Sequence, residues 1–196
     1  MKEALLQKWS PGQHLKLESE RFFIRSLTPQ DATETYISWW NDAEIQHDLN
    51  MPARKWGRAE AQRHISRFDN RITYHLGIFP KGALLPVGFF TINTNPHTKV
   101  AVTNVVIGNK SFWGEKVPLE VRGRMLPFIF NRLDMLKVKG TIHGRNLPSI
   151  FNYEAMGFKC EGILRSELPG IDGGRADIYV YGLLRDEWLT RKNDAE

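Results

Sequence analysis

Apolar and polar positions alternate along LKLESERFFIRSL (residues 15–27), the period of a strand with one buried face. Similar strand-like runs recur at TYHLGIF, PVGFFTIN and KVAVTNVVIG, separated by PKGALL and TNPHT, whose Pro, Gly and Asn are turn formers. Between the first strand and these three, the period lengthens. TPQDATETYISWWND opens with Thr28 as an N-cap and Pro29 at the first helical position, and GRAEAQRHISRFD suggests a second helix. After Gly108 comes the loop NKSFWGEK, and then a long run with helical spacing from Val117 to Asp134, carrying Leu119, Val121, Met125, Leu126, Ile129, Phe130 and Leu133. Pro127 lies inside it and deprives the Gly123 carbonyl of its usual donor, so a kink is expected near Gly123. KVKGTIH reads as a strand and NLPSIFNYEAMGF as a short helix. FKCEGILRSEL and RADIYVYGLL, joined by PGIDGG, read as two closing strands. The order predicts an α/β or α+β mixed sheet in one domain. Residues 1–14 are expected to form a loose arm, residues 15–190 the domain, and residues 191–196 a tail.

Composition narrows the classes. The chain has 196 residues, long enough for a real core, and its 41% hydrophobic and 25% charged shares are those of a soluble globular protein. No apolar run approaches the roughly 18 residues of a membrane span. The opening MKEALLQKWSPGQ lacks the apolar stretch of a signal peptide. Cys160 is the only cysteine, so no intramolecular disulfide and no cysteine-rich metal site are expected, and the cytoplasm is the default location. A net charge of +5 is spread along the chain. No zinc-finger or RNP-type signature stands beside it, so nucleic acid is not the expected partner, but a small ligand with several phosphates would suit the same excess equally well, and charge alone does not decide.

Two stretches carry candidate chemistry. In NLPSIFNYEAMGF, local physics accounts for three residues: Asn146 caps the helix, Pro148 occupies its first turn, and Gly157 supplies the left-handed residue past its end. Tyr153 is left without such an account. From VVIG through FWGEKVPLE, a strand and loop feed a helix N-terminus, whose amides and dipole favour an anion such as a pyrophosphate. Any strand-loop-helix unit has such an end, so this signal alone is weak.

Taken together, these stretches resemble the GNAT acyl-CoA-dependent N-acetyltransferases, in particular the branch with the RimJ/RimL ribosomal-protein acetyltransferases. The resemblance covers roughly residues 15–190. It rests on LESERFFIRSLTPQDA, YISWWNDAEIQHDL, WGEKVPLEVRGRMLPFIFNRLDMLKVKG, NLPSIFNYEAMGF and GGRADIYVYGLLRDEW, in that order. NLPSIFNYEAMGF matches the family pattern N-x-x-[AS]-x-x-x-Y-x-x-x-G-F at every marked position. The resemblance implies a twisted mixed sheet of about seven strands with helices on both faces and two parallel strands splaying to admit the pantetheine of acetyl-CoA. Those strands would be KVAVTNVVIG and KVKGTIH. Backbone from Val106, Ile107 and Gly108 through Trp113, Gly114, Glu115, Lys116 and Val117 would hold the thioester, pantetheine and pyrophosphate. Asn146 and Ser149 would face the cofactor, and Tyr153 would protonate the departing thiolate.

The chain departs from the family's [QR]-x-x-G-x-[GA] loop: Ser111 lacks the long polar arm, Gly114 is kept, and Lys116 replaces the second small residue. Candidate bases for the acceptor amine are His75, His143 and Glu120, or an ordered water chain. The acceptor region contains Tyr36, Trp39, Trp40, His47, Asp48 and Trp56, and Trp39, Trp40 and His75 are the expected substrate-binding residues. Core packing would account equally for at least one of the tryptophans. The expected activity is direct acetyl transfer to a primary amine of a protein N-terminus, a sugar nucleotide or a small metabolite, without a metal. A non-catalytic acyl-CoA-binding module on the same fold is the rival reading, and a homodimer is compatible with the fold.

Overall fold

The computed structural model describes residues 9–49, 54–169 and 173–193. Eight strands form one sheet: β1 (Lys16–Glu18), β2 (Phe22–Ser26), β3 (Thr73–Pro80), β4 (Gly88–Asn95), β5 (Val100–Ile107), β6 (Lys137–His143), β7 (Lys159–Pro169) and β8 (Arg175–Leu184). Their order is β1-β2-β3-β4-β5-β6-β8-β7, antiparallel throughout except for the parallel pair β5–β6. The count exceeds the expected seven because the first alternating run folds on itself. Ser19, whose N–H donates to the Phe22 carbonyl at 2.9 Å, turns it into the hairpin β1–β2.

Alternation along the strands distributes the core between the two faces of the sheet. Phe22 and Ile24 of β2, with Tyr74, Leu76 and Ile78 of β3, enter the larger cluster, together with Val117, Val121, Met125, Tyr153 and Phe158. Phe79 and Phe89 enter the smaller cluster with Tyr36, Trp39, Trp40, Trp56 and Ile65. Helices α4 (Val117–Pro127), α5 (Leu147–Ala155) and α6 (Arg185–Asn193) belong to the first face, while α1 (Glu34–Trp40), α2 (Ala43–Asp48) and α3 (Arg58–Ile65) belong to the second. Each fully buried aliphatic or aromatic side chain contributes about 1.5–3 kcal/mol relative to exposure.

Several local expectations need correction. Thr28 and Pro29 open only a short 3-10 turn, Pro29–Asp31, closed by a capping box with Asp31, and the helix proper starts again from Thr33. Asn41 and Asp42 break the following run, because the Asp42 carboxylate accepts from the N–H groups of Glu44 and Ile45 and starts α2. The disruption expected near Gly123 shows as a five-residue π turn, Phe128–Arg132, directly after Pro127, with Leu133 N donating to the Phe128 carbonyl at 3.1 Å. Residues 185–193 form a helix whose Trp188 ring lies 5.1 Å from that of Phe130, so most of the C-terminal stretch is anchored. Trp9 is buried against Tyr74 and Phe128 and belongs to the core, unlike the arm expected there. Residues 1–8 and 194–196 lie outside the described residues.

Candidate active site

The site begins where two strands part. β5 and β6 pair in parallel at Val100↔Lys137, Ala101↔Val138 and Val102↔Lys139, and the pairing stops there. From Thr103 onward β5 keeps only β4 as a neighbour, and from Gly140 onward β6 keeps only β8. The result is a fork whose two arms end at Ile107 and His143. Strand edges that have lost their partner present amide and carbonyl groups to whatever lies between them.

Tyr153 projects from α5 to the base of this fork. Its ring is buried in the larger cluster, and its hydroxyl donates to the Thr103 carbonyl at 3.3 Å. On the other arm, a methyl group at Gly140 would collide with that hydroxyl, so the glycine is what lets the tyrosine reach the fork. The phenol O–H thus sits between both strands at the point where they diverge.

The loop after β5 leads into α4. Gly114 takes φ +81° with no heavy atom within 4 Å of where a side chain would begin, so the loop has open space there. Lys116 is the N-cap of α4 at φ 56°, a left-handed conformation that costs a non-glycine residue roughly 1–2 kcal/mol. The backbone here takes a positive φ that favours glycine, and lysine adopts it under strain. No side chain caps α4, and Pro118 occupies its first turn. The strand fork, the open glycine and the uncapped helix start together fit a pantetheine arm followed by a pyrophosphate.

Other expected donor-site residues have partners of their own. Trp113 Nε1 donates to the Ile107 carbonyl at 2.8 Å, so its indole folds back over the end of β5. Glu115 is drawn toward the β1–β2 hairpin: its carbonyl accepts from Arg21 Nη2 at 2.7 Å, and its carboxylate lies 3.7 Å from Nη1. Glu120 accepts from Ser19 Oγ at 2.7 Å, Arg21 N at 2.8 Å and Arg21 Nε at 2.7 Å. Burial works against its ionisation, but these hydrogen bonds and the Arg21 charge prevail and hold it below the usual carboxylate range. It therefore pins α4 to the hairpin and is not poised as a base. Asn146 caps α5, its Oδ1 accepting from Ser149 N at 3.0 Å. Gly157 takes the left-handed φ of +85° expected past the end of α5.

The opposite face of the fork is aromatic. Trp39 packs so closely on the end of β5 that a methyl group at Gly108 would enter its indole. Trp39, Trp40 and His75, expected to bind substrate, are all buried core residues. Trp40 is stacked on Trp56 (4.5 Å) and Phe89 (5.3 Å), and His75 is 1% exposed among Phe68, Phe89, His64 and Tyr36. Burial drives the His75 imidazole well below its ordinary pKa and, with the Arg67 and Arg54 charges, takes His64 to about 4. His143, at the end of β6, is buried with its ring 5.1 Å from that of His47 on α2. The Asp48 side chain lies outside the described residues.

Sequence reasoning missed three residues. The sequence groups His47 with the acceptor region but gives no sign of its packing against His143. Lys110 bridges the loop to the start of α2, with its Nζ 2.9 Å from Asp42 Oδ2 and 2.8 Å from Glu44 Oε2. Arg122 on α4 is 1% exposed beneath Tyr153. For Arg122 a signal existed, since it precedes Met125 by three residues and Leu126 by four, on the buried stripe.

Comparison with known proteins accords with this geometry. Residues 21–159 match the family model for the acetyltransferase (GNAT) domain. The chain belongs to the GNAT acetyltransferases. It is therefore an acyltransferase of the N-acetyltransferase class. The uncharacterized N-acetyltransferase p20 of Bacillus licheniformis is 21% identical over 178 residues, covering 88% of this chain and 97% of that protein. RimJ of Mycobacterium smegmatis, solved in complex with CoA-disulfide, superposes with a TM-score of 0.78 at 18% identity, over 91% of each chain. Spermidine N-acetyltransferase of Vibrio cholerae, solved with CoA and spermine, gives 0.76 at 18% identity over 86% of this chain and 98% of that one. At these identities the solved structures share the GNAT fold. Among the described residues, no helix is long and apolar enough to cross a membrane.

Proposed function

We propose that this GNAT chain transfers an acetyl group from acetyl-CoA to a primary amine by direct attack, with Tyr153 as the acid for the leaving thiolate. The observation that carries this reading is the Tyr153 hydroxyl at the base of the β5–β6 fork, between Thr103 and Gly140. The backbone from Val106 to Val117 holds the donor, with the pyrophosphate at the uncapped start of α4. Acetyl-CoA supplies a thioester carbonyl activated toward nitrogen. A backbone N–H near Val106 or Ile107 stabilises the oxyanion, and a positioned acid speeds the loss of a thiolate whose free pKa is about 8.5.

The acceptor enters from the face of Trp39, His47 and His143. Residues alternate along β6, and Val138 and Ile142 enter the core cluster that contains Tyr153, so His143 belongs to the other side of the strand. Direct transfer needs the ammonium proton removed on one side of the thioester and the sulfur protonated on the other. We assign the first task to His143. Its neighbour His47, on a helix tied to the donor loop through Lys110, orders that side. The aromatic wall suits an amine carried by a protein N-terminus, as in RimJ/RimL-type enzymes, or by a sugar nucleotide or small metabolite.

The test is CoA release with amine panels. Wild type should release CoA only with acetyl-CoA and an amine together, and Tyr153→Phe should slow turnover while binding acetyl-CoA as wild type does. Equal turnover by Tyr153→Phe would remove the acid assignment. No release with any peptide, nucleotide-sugar or polyamine would favour a binding role for the fold.

A further inference from the structure

Arg122 is difficult to account for as a packing residue. It lies on the buried stripe of α4 with Val121 and Met125, is 1% exposed, and is first among the large fully buried side chains. Its Nε, Nη1 and Nη2 make no hydrogen bond to any described residue. Its Cζ stands 4.0 Å from the centroid of the Tyr153 ring and 5.7 Å from that of Phe158, so its neighbours are aromatic. Contact with two rings recovers only part of the hydration that a guanidinium loses on burial. A methionine would fill similar volume without that cost. Among the described residues the fold therefore offers this positive charge no counter-charge, and it lies directly beneath the phenol that reaches the fork.

We infer that Arg122 is a positioning residue that acts through Tyr153, stabilising the negative charge that leaves with the thiol of the acyl donor. This rests on the reading of Tyr153 as the acid. In that step the amine lone pair forms the C–N bond, and the tetrahedral intermediate expels sulfur together with the C–S electron pair. The Tyr153 O–H proton passes to sulfur, His143 takes the proton that the nitrogen gives up and releases it to solvent, and the phenolate regains a proton from solvent. One unit of negative charge thus moves from sulfur to the phenol oxygen, and both positions lie at the end of the ring whose face covers Arg122. A cation is attracted to the face of a neutral ring and more strongly to that of a phenolate. In a water-poor site such a fixed charge acts with little screening.

The experiment uses the intact chain, CoA, desulfo-CoA and acetyl-CoA, with Arg122→Met, Arg122→Lys and Arg122→Gln. Wild type is titrated first: if it binds neither CoA nor acetyl-CoA, the acetyltransferase reading and this inference fall together. Given binding, the ultraviolet absorbance of the CoA thiolate is followed against pH in the complex. Arg122→Met should keep or raise the melting temperature of the ligand-free chain. It should move the thiolate midpoint up by about one pH unit or more and lose affinity for CoA but not for desulfo-CoA. Its kcat should fall about tenfold or more, with KM for acetyl-CoA within about twofold. Arg122→Lys should restore most of the midpoint. A lower melting temperature with an unmoved midpoint would show that Arg122 only cements the helix contact and would overturn the inference. Should Arg122→Met not fold, the Lys and Gln variants decide the point: equal midpoints in the two would overturn it.

Discussion

Two helices that flank the fork start in different ways. Both carry proline in the first turn, Pro118 in α4 and Pro148 in α5. In α5, Asn146 closes that turn onto Ser149 N. In α4 no side chain does so, and the chain enters through Gly114 at φ +81° and Lys116 at φ 56°. One helix start is complete within the protein, while the other leaves positively polarised amides for an anion. A helix N-terminus is thus informative about ligands only once its cap is known, and the same distinction divides the duties of the two helices. On the proposed function, α4 would receive the donor's phosphates, while α5 presents Tyr153.

This contrast yields predictions in descending order of effect. If Tyr153 is the acid proposed above, Tyr153→Phe removes its proton, so kcat should fall about 100-fold or more with the Kd for acetyl-CoA unchanged; steady-state kinetics beside calorimetry checks this. Gly114→Val forces a β-branched residue into a left-handed backbone and fills the loop's open space. Acetyl-CoA affinity should drop by about tenfold or more, measured by calorimetry. Asn146→Ala should cost about 1 kcal/mol of stability in urea unfolding and leave acetyl-CoA affinity within about twofold. The opposite outcome, weaker binding with intact stability, would make α5 a donor-binding helix and erase the contrast. Lys116→Gly should raise stability by up to about 1 kcal/mol by removing the left-handed strain, read from the urea midpoint.

A separate, pH-dependent effect comes from the aromatic face. His64 is held at about 4 in the folded chain against an ordinary 6.5, first by burial and then by Arg67 and Arg54. The folded pKa is depressed, so between these values the unfolded chain binds the proton and the folded chain does not. Stability contributed by neutral His64 is present above about pH 6.5 and is lost as pH falls toward 4. His75 acts in the same direction. Urea midpoints measured from pH 8 to 5 should decline, and His64→Gln should flatten part of that slope.

Periodicity made much of this fold legible. The alternation in β3, β4 and β5, the turns between them, and the caps Asn146 and Gly157 all follow from local physics that tertiary contacts do not override. The breaks in the N-terminal helical run were less legible, because Thr33 and Asp42 act as caps only when their side chains find particular amides. The position of Tyr153 in the fork was accessible through the family pattern, and its reason, a glycine at 140, only through the packing. Trp40 and His75 illustrate the limit in the other direction: polar edges and aromatic rings suggest binding, yet these side chains stack into the core. The Glu120 carboxylate and Arg122 guanidinium lie two residues apart in sequence. One is neutralised by Arg21 and the other has no described counter-ion, a difference set by partners about a hundred residues away in one case and absent among the described residues in the other.

The central claim is that the donor lies along the β5–β6 fork and ends on the start of α4. Amide hydrogen exchange of the intact chain with and without saturating acetyl-CoA tests it most directly. The account predicts slowed exchange across residues 103–120 and 140–143, with the first turn of α5 unchanged. Saturable binding that protects Asn146 to Ser149 and leaves residues 103–120 untouched, or no binding at all, would contradict it.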